Sequence, residues 1–192
     1  MELIIATNNS HKVEEIKEIL PANIDVKSLR EIGIVEEIPE TQDTLEGNAL
    51  QKARYIYDKY SKNCFADDTG LEVEALDNAP GVYSARYAGD DCSFEDNIQK
   101  LLRELKGIEN RKARFRTVVA LIIDGHEHLF EGEVTGKILE SKQGNEGFGY
   151  DPVFLPDGYE DSFATMASSE KNKISHRGKA VRALASFLRK TL

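Results

Sequence analysis

Short uninterrupted apolar runs alternate along the chain with stretches where apolar residues recur every three or four positions. ELIIA at 2–6 is the first such run and fits a short buried strand. Val13, Ile16, Ile19 and Leu20 then fall on one face of a helix that Ser10 can cap and that stops before Pro21. Residues 24–29 read as a second strand, and the acid-rich loop VEEIPETQDT follows. Thr44 predicts the cap of a helix over roughly 45–61, with Ala49, Ala53, Ile56 and Tyr60 along its apolar stripe. NCFADD reads as a strand that ends on Asp67 and Asp68, and LEVEAL alternates as a half-buried strand does. Ser93 and Asp96 have the spacing of a capping box ahead of a helix carrying Phe94, Ile98, Leu101, Leu102 and Leu105. Residues 113–123 and 127–138 are β-type runs joined at Asp124-Gly125, a hairpin signal. A last helix at about 178–190 carries Val181, Leu184, Phe187 and Leu188. Helices and strands alternate, and one long hairpin interrupts them. That pattern predicts an α/β fold with a mixed sheet.

Composition narrows the class. The chain has 192 residues, the size of one domain or of two lobes sharing one core, with no repeat and no linker. At this length roughly 70% of the unfolded surface can be buried, so no small-scaffold staple is needed. The longest apolar run, VVALII at 118–123, is far too short to span a bilayer. MELIIATNN offers no basic segment and no cleavage site, so no secretion signal is expected. Two isolated cysteines, Cys64 and Cys92, fit a reducing, cytoplasmic compartment rather than a disulfide scaffold.

Net charge is −9, which disfavours nucleic acid and anionic membranes as partners. All 34 acids lie at or before Glu170; seven bases and no acid follow. Either this tail is a solvated basic helix on an acidic body, or part of it faces a small anionic ligand.

Several stretches could carry chemistry. In ATNNSHK a strand gives way to a polar turn and a helix with Lys12 in its first turn, which is either an anion site or a capped helix with an exposed lysine. No P-loop pattern is present. Glu40 precedes the second helix, and Asp67-Asp68-Thr69-Gly70 is either a turn or a source of metal-binding carboxylate. Since adjacent strand residues face opposite ways, only one of the two aspartates is expected to enter any one cleft. SHRGKA offers donors at Ser175, His176 and Arg177, or simply a cap and exposed bases. His126 and His128 alternate on the hairpin but lack the company of a metal site. In FGYDP, Phe148 and Tyr150 either plug a core or offer a platform to something flat. G-x-S-x-G, C-x-x-C, H-E-x-x-H and G-x-G-x-x-G do not occur, which argues against serine hydrolases, zinc enzymes and Rossmann dehydrogenases.

Taken in order, ATNNSHK, ETQDTLEGNALQKA, ADDTGLEVEALDNAPGVYSARYAG, GFGYDPVF and SSEKNKISHRGKA resemble the inosine/xanthosine triphosphate pyrophosphatase family over nearly the whole chain. The resemblance implies one domain over 1–192, with an elongated mixed β-sheet flanked by helices and two lobes with a central nucleotide-binding cleft. It implies Mg²⁺-dependent hydrolysis of ITP, dITP and XTP to the monophosphate and pyrophosphate, usually by a homodimer. Carried over by position, Thr7, Asn8, Asn9, Ser10, His11 and Lys12 would line the triphosphate, and Lys52 would also reach phosphate. Glu40 and Asp68 would hold the metal, with Asp68 also the candidate base, and Thr69 would touch the substrate. Phe148 would stack on the purine, Gly149, Tyr150 and Asp151 would shape its pocket, and Lys171, His176 and Arg177 would read its oxygens. Asn8, Gln42, Gly47 and Thr69 depart from the family's common pattern, which has glycine, glycine, an acid and serine there. A kinase would need an acceptor site. A nucleotide sensor would not need Glu40, Lys52 and Asp68, and the Phe-Gly-Tyr-Asp and His-Arg blocks point away from pyrophosphatases of modified pyrimidines.

Overall fold

A computed structural model describes residues 1–191. Its elements run β1 (Glu2–Ile5), α1 (Ser10–Ile19), β2 (Asp25–Ser28), α2 (Leu45–Tyr60), β3 (Cys64–Val73), β4 (Pro80–Gly81), α3 (Phe94–Glu104), β5 (Lys112–Ile123), β6 (His126–Ile138), β7 (Phe154–Pro156), α4 (Ser168–Ile174) and α5 (His176–Thr191). The sheet order is β2-β1-β3-β5-β6-β7, with β4 on β3. β1 pairs in parallel with both β2 and β3, while β3–β4 and β6–β7 are antiparallel. The fold is α/β with a mixed sheet, as the alternation of elements predicts. Among the described residues, no helix is long and apolar enough to cross a membrane.

The chain divides into two compact units, the first built from residues 1–68, 117–132 and 176 onward, the second from 69–116 and 133–175. In the first unit, Leu3 and Ile5 of β1, Val26 of β2, Phe65 of β3 and Val119, Leu121 and Ile123 of β5 form one apolar cluster with Ile16 of α1. α5 closes it through Ala180, Val181, Leu184, Ala185 and Leu188, spaced along one helical face. Each Leu or Ile fully removed from water there contributes about 1.5–3 kcal/mol.

Gly132 of β6 lies against the first turn of α5. A Cβ at that position would strike the His176 carbonyl oxygen and lie 2.6 Å from the Ala180 nitrogen. Both atoms belong to helical backbone and cannot step aside. Gly132→Ala is therefore expected to cost about 1–3 kcal/mol of overpacking, roughly a 2–12 °C drop in melting temperature for a chain of this size. Scanning calorimetry reads this directly.

In the second unit, Leu71, Val73, Ile98, Leu101, Phe115, Val134, Ile138, Phe154 and Phe163 form a separate core. The Phe115 and Phe154 rings meet edge to face at 4.7 Å, and Phe163 lies 5.2 Å from Phe154. The Ser93/Asp96 capping box is present at the start of α3. Asp124 and Gly125 both take left-handed φ, +50° and +81°, as a tight two-residue hairpin turn requires.

Four expectations change. Residues 64–68 and 71–73 belong to one ten-residue strand, and Glu74–Leu76, the rest of LEVEAL, forms a 3-10 turn after it; Asp67 and Asp68 thus sit inside β3 rather than at its end, and Asp-Asp-Thr-Gly is not a turn. Buried cationic partners, described below, make that strand tolerable for two adjacent acids. Asn9, not Ser10, caps α1: its side chain accepts from the Lys12 backbone N–H at 3.3 Å. The final helix begins at His176, so SHRGKA is its first turn rather than a lead-in. α4 is an additional element; the sides of it that are buried carry Lys171 and Asn172, so no apolar stripe announces it.

Candidate functional site

In the first unit, four segments bring charged groups together. β1 ends at Ile5, and the Asn9-capped turn aims α1 so that Lys12 lies in its first turn. Thr7 accepts from the Asn9 N–H at 3.2 Å, which tightens that turn. Asn8, Ser10 and His11 are exposed, while Thr7, Asn9 and Lys12 are half-buried, so this lip is open to a ligand. A helix N-terminus with an added lysine favours anions.

The loop before α2 is tied down by backbone donors. Thr41 N donates to Gln51 Oε1 and Gln42 N to Asn48 Oδ1, both at 2.9 Å. Thr44 caps the helix through the Gly47 N–H. This fixes Glu40 within 2.5 Å of Lys52 Nζ. Gln42 of this loop and Gly47 in the first turn of α2 answer each other. A Cβ on Gly47 would lie 2.7 Å from the Gln42 Cβ, so the side chain at 42 occupies space that a residue other than glycine at 47 would need.

Lys52 is almost wholly buried and meets three oxygens. Its Nζ lies 2.5 Å from Glu40 Oε1, donates to the Asp67 carbonyl oxygen at 2.7 Å, and lies 3.6 Å from Asp68 Oδ1. Burial pushes its pKa down, but Asp68, Glu40 and Asp67 outweigh that and raise it, so it stays an ammonium. Asp67 points elsewhere, with Oδ2 3.1 Å from Lys12 Nζ and 3.3 Å from Arg177 Nε. Arg177 reaches the other way through Nη1 to Glu15 Oε2 at 2.5 Å. Three cations thus face four carboxylates.

The two adjacent aspartates diverge electrically. Burial raises the Asp67 pKa, but Lys12, Arg177 and Lys52 together hold it well below the usual carboxylate range. Asp68 is raised, because burial dominates over the pull of Lys52 and Lys12 and because Glu40 and Asp67 repel its charge. Its Oδ2 is buried and has no hydrogen-bond partner. An acceptor oxygen left bare beside a second carboxylate suits a divalent cation, and Glu40 with Asp68 supplies the one or two carboxylates that Mg²⁺ takes from protein.

The second unit holds the aromatic stretch. Phe148 is half-buried, its ring 6.1 Å from that of Phe94, and Lys171 Nζ lies 5.2 Å from its centroid. Tyr150 packs inward: it is 5% exposed and its hydroxyl donates to the Ser84 carbonyl oxygen at 2.8 Å. Asp151 is also buried; its Oδ2 accepts from Lys171 Nζ at 2.7 Å and from the Phe148 N–H at 2.9 Å. Gly147 takes φ +75°, and a Cβ there would strike Asp151 Oδ2. Glycine is therefore required for Asp151 to turn back and hold the loop. Gly149, with φ +61°, has open space beside it, and Thr69 is half-buried in the middle of β3. The two rings of FGYDP thus divide: Tyr150 plugs the core, and Phe148 stays half-buried between Phe94 and Lys171.

His176 and Arg177 are buried in the first turn of α5, and Lys171 is buried in α4, whereas Lys173, Lys179, Arg182, Arg189 and Lys190 are exposed. The exposed bases fit the solvated basic helix, while Lys171 is held by Asp151 and Arg177 by Asp67 and Glu15. Sequence reasoning passed over Glu15 and gave Asp67 no role. Lys12 and Glu15, three apart on α1, signal a shared face, but nothing local announces a partner 162 positions away for Glu15.

Comparison with known proteins gives the family. The model of the Ham1 family matches residues 3–187. A dITP/XTP pyrophosphatase of Flavobacterium psychrophilum is 53% identical over 98% of this chain and 100% of its own length. One from Bacillus subtilis is 50% identical over 97% of this chain and 96% of its own. The solved structure of the Staphylococcus aureus Ham1 protein superposes with a TM-score of 0.90, at 38% identity and complete coverage of both chains. With a family model spanning nearly all of its length and relatives about half identical to it end to end, this chain belongs to the Ham1 family.

Proposed function

We propose that this protein removes nonstandard purine nucleoside triphosphates, ITP, dITP and XTP, from the nucleotide pool before they enter DNA or RNA. It is a hydrolase that cleaves them to the monophosphate and pyrophosphate. The observation that carries this reading is Asp68: a buried carboxylate with a bare oxygen beside Glu40 and Lys52, in a chain closely similar to dITP/XTP pyrophosphatases.

In this reading Thr7–Lys12 and Lys52 take the triphosphate, with Lys12 and Lys52 offsetting charge on the departing pyrophosphate. Asp68 is the group that accepts a proton from the attacking water, and its raised pKa suits that task. Glu40 and Asp68 would hold Mg²⁺, which when bound neutralises phosphate charge and acidifies water. Thr69 touches the substrate, and Phe148 stacks on the purine, with Gly149, Tyr150 and Asp151 shaping its surroundings. Lys171, His176 and Arg177 are donors. Hypoxanthine and xanthine present an acceptor oxygen at C6, where adenine presents an amino group that cannot accept from them, so a hydrogen bond to a charged donor, worth about 1.5–3 kcal/mol, is lost. A homodimer in a reducing cytoplasm completes the reading; Cys64 and Cys92 are both free thiols.

A panel of nucleotides with Mg²⁺, scored for pyrophosphate against orthophosphate, tests the reaction. Pyrophosphate from ITP and XTP, and little from ATP, is expected; orthophosphate as first product would sink the reading. Phe148→Ala tests the stacking role. Base–aromatic stacking is worth about 1–3 kcal/mol, so KM for ITP should rise about 10- to 100-fold with kcat changed far less. An unchanged KM would place the purine elsewhere.

A further inference from the structure

Asp67 has no part in the proposed reaction, yet its carboxylate meets two cations and its carbonyl a third. It is 0% exposed, and its Oδ2 lies 3.1 Å from Lys12 Nζ and 3.3 Å from Arg177 Nε. Its carbonyl oxygen also receives Lys52 at 2.7 Å. The two cations on its carboxylate are not equally dependent on it. Arg177 is held independently by Glu15 at 2.5 Å. Lys12, among the described residues, has Asp67 as its one carboxylate partner within ion-pair distance.

We infer that Asp67 is the positioning residue that holds the Lys12 ammonium where the triphosphate needs it. The inference rests on the pyrophosphatase reading. Lys12 rides on a four-carbon stem with free rotation about every bond, and its side chain is only 14% exposed. Lys52 and Arg177 are close enough to repel it. Against that repulsion and the cost of burial, the Asp67 carboxylate is the anchor that keeps the ammonium in. The anchor itself is set by β3, whose alternation sends Asp67 toward Lys12 and Arg177 and leaves the neighbouring Asp68 its bare oxygen. Two adjacent carboxylates on one strand thus separate two tasks: Asp67 fixes a cation, and Asp68 stays open for chemistry.

A double-mutant cycle on Lys12 and Asp67 tests this, with ITP and Mg²⁺. Asp67→Asn keeps the shape and removes the charge. It should lower kcat about 10- to 100-fold, the signature of a lost charge-neutralising donor. In a Lys12→Met background it should cost no more than about twofold further, because the group it positions is already gone. The ITP-to-ATP ratio should stay within about twofold, since Glu15 still holds Arg177. Equal losses from Asp67→Asn in both backgrounds, or no loss in either, overturn the proposal. Should Asp67→Asn fail to fold alone, the double variant removes both halves of the ion pair and is compared with Lys12→Met by itself. A further loss beyond tenfold, or failure of that double variant to fold, overturns the proposal too. If Lys12→Met leaves too little turnover to read, the cycle is measured on the Kd for the α,β-imido analogue of ITP. Failure of the wild type to release pyrophosphate sinks the pyrophosphatase reading instead, and the cycle is then read on whichever bond the wild type cleaves.

Discussion

Asp68→Asn is expected to lower kcat for ITP by about 10³-fold or more, because in the proposed reaction it would remove both a metal-binding oxygen and the group that takes the water's proton. Nucleotide binding should remain measurable, since Lys12, Lys52 and Phe148 are untouched. Stability gives a second readout. The Asp68 pKa in the folded protein is raised above its unfolded value. A raised carboxyl stabilises the fold below the unfolded pKa, and that contribution is lost as pH rises through the folded pKa. The ionised form of Asp68 is thus the less favourable one in the fold without metal, while Lys52 retains Glu40 and the Asp67 carbonyl after the substitution. The variant should therefore melt within about 3 °C of wild type in EDTA. Added Mg²⁺ should stabilise the wild type and not the variant, because only the wild type keeps the full carboxylate set. Near-normal kcat would remove Asp68 from the chemistry; equal stabilisation by Mg²⁺ would move the metal elsewhere.

Lys52→Met should be nearly as damaging to activity and far more so to stability. The ammonium is the shared partner of Glu40 Oε1, Asp68 Oδ1 and the Asp67 carbonyl. Removing one partner of a buried ionic cluster costs about 3–5 kcal/mol, or roughly 6–20 °C in melting temperature. The Lys52 pKa is raised in the folded state, so its contribution is fully present below about 10.5 and is lost only as pH rises through the higher folded value. The deficit should thus be complete at pH 7. Activity should fall by about 10²–10³-fold, as for loss of a group that stabilises developing charge. Lys52→Arg should rescue little, because a planar fork cannot bring one charge to three oxygens that now converge on a point. Wild-type melting behaviour in the Met variant would show that the cluster does not depend on Lys52.

These expectations rest on groups that the sequence displays unevenly. α2 is legible because Thr44 caps it and Ala49, Ala53 and Ile56 recur on one face. The hairpin is legible because Asp124-Gly125 is chemically suited to two left-handed residues in a row. Both signals are local. β3 is not legible as one strand, since Asp67 and Asp68 in its middle look like an end until Lys12, Lys52 and Arg177 arrive from distant segments. α4 hides because a reader expects a helix to bury apolar residues, and this one buries a lysine whose partner, Asp151, lies in the preceding loop region. The nature of the candidate residues is written in order along the chain. Their pairing, and hence the division of labour between Asp67 and Asp68, is long-range and appears only with coordinates.

The chain's path between its two units carries a consequence for biosynthesis. The second unit draws on nothing beyond Ser175, while the first needs segments from residue 1 through α5. On the ribosome, the second unit has all of its residues before the first can close. Until α5 emerges, Leu3, Ile5 and Val119 lack the helix that covers them, and Asp67 lacks Arg177. A nascent chain stalled near residue 175 would thus present a sticky apolar surface, a natural substrate for chaperones and proteases. Coupling the last helix to both the apolar core and the charged cluster means that a prematurely terminated product would carry neither a stable first unit nor an assembled site.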